Sequence, residues 1–78
     1  MRIANRTATY ELLGGVQYIY RFPNGWGASV ICHRGSYGGP QGLWEVGVID
    51  PAGDIDGEPT GWLTVEEVHE KLNEIEAY

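Results

Sequence analysis

Cys32 and His33 are the one place in this 78-residue chain where a thiol and an imidazole are neighbours. A cysteine nucleophile activated by a histidine base needs both groups within hydrogen-bond reach of each other. Neighbouring residues of a β-strand, however, point to opposite faces of the sheet, so we expect Cys32 in the core and His33 outside it. The sequence therefore predicts a structural Cys32 and no enzyme, with a small enzyme that uses Cys32 and His33 kept as a remote alternative.

Acidic residues between positions 50 and 58 are a candidate cation site. Calcium-binding EF-hand loops need acids at the first, third and fifth positions and a glutamate at the twelfth, but with Asp56 as fifth the first is Ala52 and the twelfth Leu63. A zinc site is not indicated, because one cysteine and two histidines lie at spacings unlike those of zinc ligands. We predict no metal and no cofactor.

The glycine-rich run at residues 35–42, GSYGGPQG, is a candidate phosphate loop. It lacks the Gly-Lys-Ser/Thr ending of a P-loop and leads into a predicted strand, so no helix N-terminus would face a phosphate. Tyr37 and the neighbouring Arg34 are better candidates for a protein contact, because both residue types are enriched at interface hot spots. The alternative is a flexible connection whose Tyr37 packs back on the sheet.

Turn residues divide the first part of the chain into strands. Gly14-Gly15 and Asn24-Gly25 are two-residue hairpin signals, and Pro23 should end the second strand because it cannot donate to a ladder. The predicted strands cover residues 7–13, 16–22, 27–33 and 43–49.

The C-terminal part of the chain begins with proline, glycine and four carboxylates. We expect residues 50–61 to form an exposed acidic loop. Thr64 and Glu67 form a capping box, which predicts one helix over about 65–77. The whole predicts a single small α+β domain over residues 1–78, a four-stranded antiparallel meander with a C-terminal helix on one face (ββββα).

Alternation along the strands predicts which face of the sheet the helix covers. The opposite face contains Ile19, Ile31 and Ile49, and nothing else in the chain is expected to cover it. Trp26 and Trp62 are expected to close the ends of the core. The predicted covered face consists of Ala8, Tyr10, Leu12, Val16, Tyr18, Tyr20, Phe22, Ala28, Val30, Cys32, Trp44, Val46 and Val48.

The formal net charge of −6 is unevenly distributed. Residues 1–44 contain four arginines and one glutamate, whereas residues 45–78 contain ten acids and one lysine. This balance disfavours direct nucleic-acid binding, and no run of residues is apolar and long enough for a membrane span, so we expect a cytoplasmic protein. The acids expected to contact a partner are Asp50, Asp54, Asp56, Glu58, Glu66, Glu70 and Glu74.

Four short motifs are distinctive as a set: GWGASV, GSYGG, GLWEV and GWLT followed by EEV, within residues 18–78. In these motifs the chain resembles a group of small, uncharacterised phage and prophage proteins. That resemblance implies action in the cytoplasm of a host cell. By analogy with other small acidic phage proteins, it also implies an anti-defence role such as anti-CRISPR activity.

These observations together predict a binding protein. It would inhibit a host or defence protein, such as a CRISPR-Cas component, by steric occlusion and without catalysis; the partner could have a basic, nucleic-acid-binding surface. The alternatives are a structural or accessory phage domain and a module that forms a homodimer through the open sheet face. The candidate contact residues are Arg34, Tyr37, Ile19, Ile31 and Ile49 together with the seven acids named above.

Overall fold

The computed structural model describes residues 1–78 and contains one antiparallel sheet in the strand order β1-β2-β3-β4-β5, followed by one helix. The predicted α+β class, with an antiparallel sheet and one C-terminal helix, is confirmed. A short 3₁₀ turn at Gly39–Gln41 interrupts the connection between β3 and β4. The elements are β1 (Arg6–Leu12), β2 (Gly15–Arg21), β3 (Gly27–Cys32), β4 (Trp44–Ile49), β5 (Ile55–Leu63) and α1 (Val65–Glu76).

The fifth strand corrects the predicted four-stranded sheet, because the chain segment expected to be an acidic loop is largely β5. Its pairing with β4 has two irregularities, one between Val48 and Val46 and one between Val46 and Trp44. Residues 57–59, with Gly57 and Pro59, fall in the first interruption, and residues 61–62 fall in the second. An edge strand tolerates proline and glycine at such bulges, so these residues do not prevent strand formation.

The first hairpin turns one residue earlier than predicted. Leu13 and Gly14 are the two turn residues, with φ of 48° and 75°, as a type I′ turn requires. Gly15 instead begins β2, where a Cβ atom would lie 1.9 Å from the carbonyl oxygen of Cys32. Glycine is therefore needed at position 15 for the close approach of two strands.

Pairing across the first hairpin reverses the predicted orientation of β1, because Ala8 pairs with Ile19, Tyr10 with Gln17 and Leu12 with Gly15. A bulge at Thr7 shifts the register only before Ala8, so that Arg6 pairs with Tyr20. Residues that face each other across an antiparallel ladder share a face of the sheet. The prediction that Ala8, Tyr10 and Leu12 are covered by the helix is therefore wrong, and they share a face with Ile19.

The core lies between the other face of the sheet and α1, which packs mainly against β3, β4 and β5. Beyond the reach of the helix, the N-terminal segment covers the side of β2. The Arg6 guanidinium lies 4.0 Å from the centroid of the Tyr18 ring, and the Tyr20 hydroxyl donates to the main-chain oxygen of Arg2. The central buried cluster consists of Tyr20, Phe22, Ala28, Val30, Val46, Val68, Leu72 and Ile75.

The helix begins as the sequence predicts. The Thr64 hydroxyl accepts from the Glu67 N–H at 3.2 Å, and the Glu67 carboxylate accepts from the Thr64 N–H at 2.9 Å. The bond that the Thr64 backbone N–H donates to the carboxylate, and to a smaller extent a bond from the Thr64 side chain, hold the pKa of Glu67 below its ordinary value. No helix in the structure is both long and apolar enough to cross a bilayer.

Candidate protein-binding surface

Cys32 and His33 do not form a catalytic pair in the structure. The Cys32 thiol contacts the carbonyl oxygen of Gly39 at 3.8 Å, whereas Nδ1 of His33 accepts from the Gly35 N–H at 3.0 Å. The second histidine, His69, accepts from the backbone N–H of Arg2 at 3.2 Å. Nowhere do three or more histidine, cysteine, aspartate or glutamate side chains meet in a way that could hold a metal ion.

The sheet face opposite the helix has no layer of the protein over it. We call this surface the open face. Gln17 and Ser29 form its polar centre through a hydrogen bond of 2.9 Å. Its apolar residues are Ala8, Tyr10, Leu12, Ile19, Ile31, Ile49 and Ile55.

Ile19 and Ile31 lie half-buried on the open face, as predicted. The prediction that nothing in the chain covers Ile49 is wrong. Only 8% of Ile49 is exposed, because β5 pairs alongside it and Ile55 is its direct partner. Ile55 is itself 54% exposed, and it takes the place of Ile49 as the accessible apolar residue. Ile55 lies between Asp54 and Asp56, and this alternation of polar and apolar residues is typical of a strand. The surrounding glycines and prolines favour a loop, so the sequence alone predicts a loop there.

Tyr10 and Leu12 are the other open-face residues that sequence reasoning missed. These two residues are 55% and 41% exposed. A two-residue turn pairs even-numbered residues of β1 with odd-numbered residues of β2, so Tyr10 opposes Gln17 and Leu12 opposes Gly15. Apolar character alone groups them with Tyr18 and Tyr20, whereas this pairing places them on the other face.

Tyr37 and Trp62 form a stacked pair at one end of the sheet. Their ring centroids are 5.4 Å apart with an interplanar angle of 17°, and the two residues are 53% and 57% exposed. The Trp62 N–H donates to the carbonyl oxygen of Tyr37 at 3.1 Å. The prediction that Trp62 closes the core is therefore wrong, since Trp62 lies in an interruption of the β4–β5 ladder and stacks on a surface loop.

Glycines and a strained backbone hold this pair. A Cβ at Gly61 would lie 2.3 Å from Cβ of Tyr37, and one at Gly39 would lie 1.8 Å from the carbonyl oxygen of His33. Trp62 has φ of 55°, in the left-handed region that bulky residues rarely adopt. Such a conformation costs about 1–3 kcal/mol and persists only where surrounding contacts enforce it.

Glu45 joins this pair to β4. It alternates with the core residues Trp44 and Val46, and its Oε1 accepts from the Tyr37 N–H at 2.9 Å. Glu45 is half-buried, and no basic side chain of the protein forms an ion pair with it. No motif in the sequence around Glu45 indicates this contact with the Tyr37 backbone.

The acids on the helix lie on the opposite side of the molecule from the open face. Glu66, Glu70 and Glu74 follow one another at intervals of four residues and are all exposed, whereas Val68 and Leu72 face the sheet. Lys71 lies 3.5 Å from Glu74, and neither Glu66 nor Glu70 has an ion-pair partner. The structure therefore does not bring the helix acids and the open-face isoleucines into one site.

The acids before and within β5 lie at an edge of the sheet. Asp54, Asp56 and Glu58 are exposed, but Asp50 binds its own turn, where its Oδ1 accepts from the N–H groups of Ala52 (2.9 Å) and Asp54 (3.0 Å). Asp50 is thus a turn residue rather than a free contact residue.

Arg34 is exposed and lies beside the β1–β2 turn, where its N–H donates to the carbonyl oxygen of Leu13 at 3.4 Å. Of the other arginines, Arg2 pairs with Glu76 at 2.8 Å and Arg21 donates to the main-chain oxygens of Gly25 and Asp50.

The accessible surface therefore combines an apolar open face, an exposed aromatic pair and a mostly acidic periphery. No family model, curated protein or solved structure matches the chain.

Proposed function

We propose that this protein is a non-enzymatic inhibitor that covers a functional surface of a basic partner protein with its open face. The observation that supports this proposal most is the exposure of Tyr10, Leu12 and Ile55 on one uncovered sheet face. Antiparallel sheets usually present polar residues on a face left to solvent. A group of apolar side chains on such a face is typical of a protein interaction site.

Charge favours a basic partner over a second copy of the chain. Two copies would each carry a formal charge of −6, and Asp54 and Asp56 flank Ile55 at the edge of the open face. Complementary charge around an apolar centre speeds association and selects the partner. Proteins that bind nucleic acid carry such basic surfaces, and the resemblance to phage proteins favours a host or defence protein, including a CRISPR-Cas component, in the cytoplasm of the host cell.

The test is a panel of purified basic nucleic-acid-binding proteins, with CRISPR-Cas effectors among them. The protein should bind one of them and displace its nucleic acid. Replacing Tyr10 and Leu12 together by serine should weaken that binding by at least about tenfold, as expected when central apolar contacts are lost. Both residues are already exposed, so the double variant should still fold. Inhibition that this double variant leaves unchanged would overturn the proposal.

The acidic face of α1 is a second candidate for the inhibitory surface. The observation that favours it is the exposure of Glu66 and Glu70 without ion-pair partners. Replacing both by glutamine leaves the open face intact and provides the matched control. If the helix binds the partner, this variant should lose affinity and the wild-type affinity should fall steeply with added salt.

Self-association is the third outcome, and it would fit a structural or accessory phage domain. Sedimentation velocity at increasing protein concentration distinguishes it. The inhibitor proposal expects a monomer, whereas a dimer that the Tyr10 and Leu12 double variant abolishes would show that the open face binds a second copy.

A further inference from the structure

We infer that Tyr37, Trp62 and Glu45 form a binding site for the guanidinium group of an arginine side chain. This inference rests on the proposed function in one respect only, namely that a partner protein would supply the arginine. The site itself consists of an exposed aromatic surface and a carboxylate that accepts a hydrogen bond from the Tyr37 backbone.

The aromatic surface has the chemistry to bind a cation. Trp62 is the side chain type that attracts cations most strongly through its ring face, and Tyr37, stacked against it at 5.4 Å, adds a second aromatic ring. More than half of each residue remains accessible. A planar guanidinium can lie flat on such a surface, which a compact ammonium group cannot do.

The carboxylate has acceptor capacity left over. Glu45 accepts one hydrogen bond through Oε1, from the Tyr37 N–H, while an ionised carboxylate can accept about four. No lysine or arginine of the chain neutralises it, since the ion pairs of the protein involve Glu76 and Glu74. A half-buried carboxylate without a cation, bonded to the backbone of the tyrosine that stacks on an exposed tryptophan, is complementary to an arginine that stacks and donates at the same time.

The site is rigid before any ligand arrives. Three contacts fix its backbone. The Trp62 N–H donates to the Tyr37 carbonyl, the Tyr37 N–H donates to Glu45, and Gly61 lies against Tyr37. The left-handed backbone of Trp62 is retained at an energetic cost. Rigidity of this kind reduces the entropy lost on binding, so the strain at Trp62 has a functional explanation.

The experiment is an NMR titration of the ¹⁵N-labelled protein with N-acetyl-arginine amide. The indole N–H of Trp62 and the backbone amides of Tyr37 and Glu45 should shift in a saturable manner. N-acetyl-citrulline amide has nearly the same shape but no charge, and it should cause no saturable shift. N-acetyl-lysine amide should bind more weakly than the arginine probe, by about threefold or more. The indole N–H resonance of Trp26 is an internal control, and its chemical shift should not change.

Two variants test the roles of the residues. Glu45→Gln keeps an oxygen acceptor for the Tyr37 N–H and removes only the charge, and it should weaken arginine binding by about fivefold or more. Trp62→Asn removes the ring but suits a positive φ, because asparagine tolerates that conformation better than other non-glycine residues. Arginine-probe affinity in Trp62→Asn should be lost, with the rest of the spectrum preserved.

Equal shifts with citrulline and arginine would overturn the inference without reference to any variant, and unchanged affinity in a folded Glu45→Gln would overturn it as well. The Tyr10 and Leu12 double variant should bind the arginine probe as the wild type does. If the probe binds but the double variant still inhibits the partner, only the proposed function fails. If the double variant no longer binds the partner, but the wild-type protein does not bind the arginine probe, only the arginine site is wrong.

Discussion

Nδ2 of Asn24 lies 2.9 Å from the main-chain oxygen of Ile75, so a side chain in the β2–β3 turn caps the C-terminus of α1. The same amide donates to the main-chain oxygen of Glu76 at 3.1 Å, and its Oδ1 accepts from the Trp26 N–H at 3.0 Å. The last turn of the helix contains no basic residue and its C-cap, Ala77, is not a glycine. Asn24 therefore adds side-chain donors to a helix end whose Glu74 and Ile75 carbonyls also accept from the Ala77 and Tyr78 N–H groups.

Asn24→Asp should lower the free energy of unfolding by about 1–2 kcal/mol, because it removes both donors and places a carboxylate at the negative end of the helix dipole. The acceptor for Trp26 remains, so the turn itself should persist. Urea unfolding followed by circular dichroism measures the effect. Asn73→Asp on the same helix is the matched control, since its oxygen accepts from Arg2 and an aspartate can still do so. Equal stability of Asn24→Asp and the wild type would show that the cap contributes nothing.

Leu13 in the first hairpin turn predicts a stabilising substitution. Its φ of 48° is unfavourable for leucine, and asparagine followed by glycine is the preferred sequence for this turn type. Leu13→Asn should therefore stabilise the protein by about 0.5–1 kcal/mol, because it relieves backbone strain in a half-exposed side chain.

A thermal melt checks this prediction, since about 1 kcal/mol raises Tm by roughly 4–8 °C in a domain of this size. Leu12→Asn is the control, because Leu12 lies within β1 and has no positive φ. A Tm for Leu13→Asn at or below that of the wild type would mean that contacts of the leucine outweigh the strain.

Local signals in the sequence predicted the elements whose stability is local. The capping box of Thr64 and Glu67 satisfies specific backbone groups within a few residues and appears as expected. A hairpin also forms at Asn24-Gly25, but Phe22 bonds to Trp26, so its loop has three residues, 23–25, rather than two. β5 was missed because Gly57, Pro59 and Gly61 oppose strand formation in isolation. Pairing with β4 and the position at the sheet edge override that preference.

The candidate site was predicted less well than the fold, because it depends on register and on contacts distant in sequence. Pairing across the first hairpin turn, rather than the apolar alternation within β1, places Tyr10 and Leu12 on the open face. Tyr37 was recognised as a contact candidate from its residue type and loop. Its partners Trp62 and Glu45 lie 25 and eight positions away, and only the folded chain brings the three together.

Glu67 predicts a pH dependence of helix stability. Its pKa is lowered in the folded protein from the ordinary value of 4.5, so the capping box stabilises the protein above the unfolded pKa and loses that contribution as the pH falls through the folded pKa. Glu67→Gln keeps an acceptor for the Thr64 N–H but cannot ionise. The stability difference between wild type and Glu67→Gln should thus be largest near neutral pH and disappear in acid.

Urea titrations over that pH range measure this difference. Glu70→Gln, an exposed glutamate on the same helix with no capping bond, should show a smaller change with pH. If the wild type and Glu67→Gln lose stability in parallel as the pH falls, the capping carboxylate does not carry the pH dependence.

Gly61 allows a prediction about how the aromatic pair is held. Gly61→Ala would place a Cβ 2.3 Å from Cβ of Tyr37, so either β5 or the Tyr37 loop must move, at a cost of about 1–3 kcal/mol in the free energy of unfolding. The nuclear Overhauser contacts between the Tyr37 and Trp62 rings should weaken together with stability. Gly47→Ala is the matched control, because a Cβ there meets only Cδ1 of Ile55 at an ordinary 3.5 Å. Because Gly61 has no positive φ, any loss in Gly61→Ala arises from the contact with Tyr37 rather than from backbone strain. Unchanged ring contacts in Gly61→Ala would mean that the stack of Tyr37 on Trp62 does not depend on the close approach of Gly61 to Tyr37.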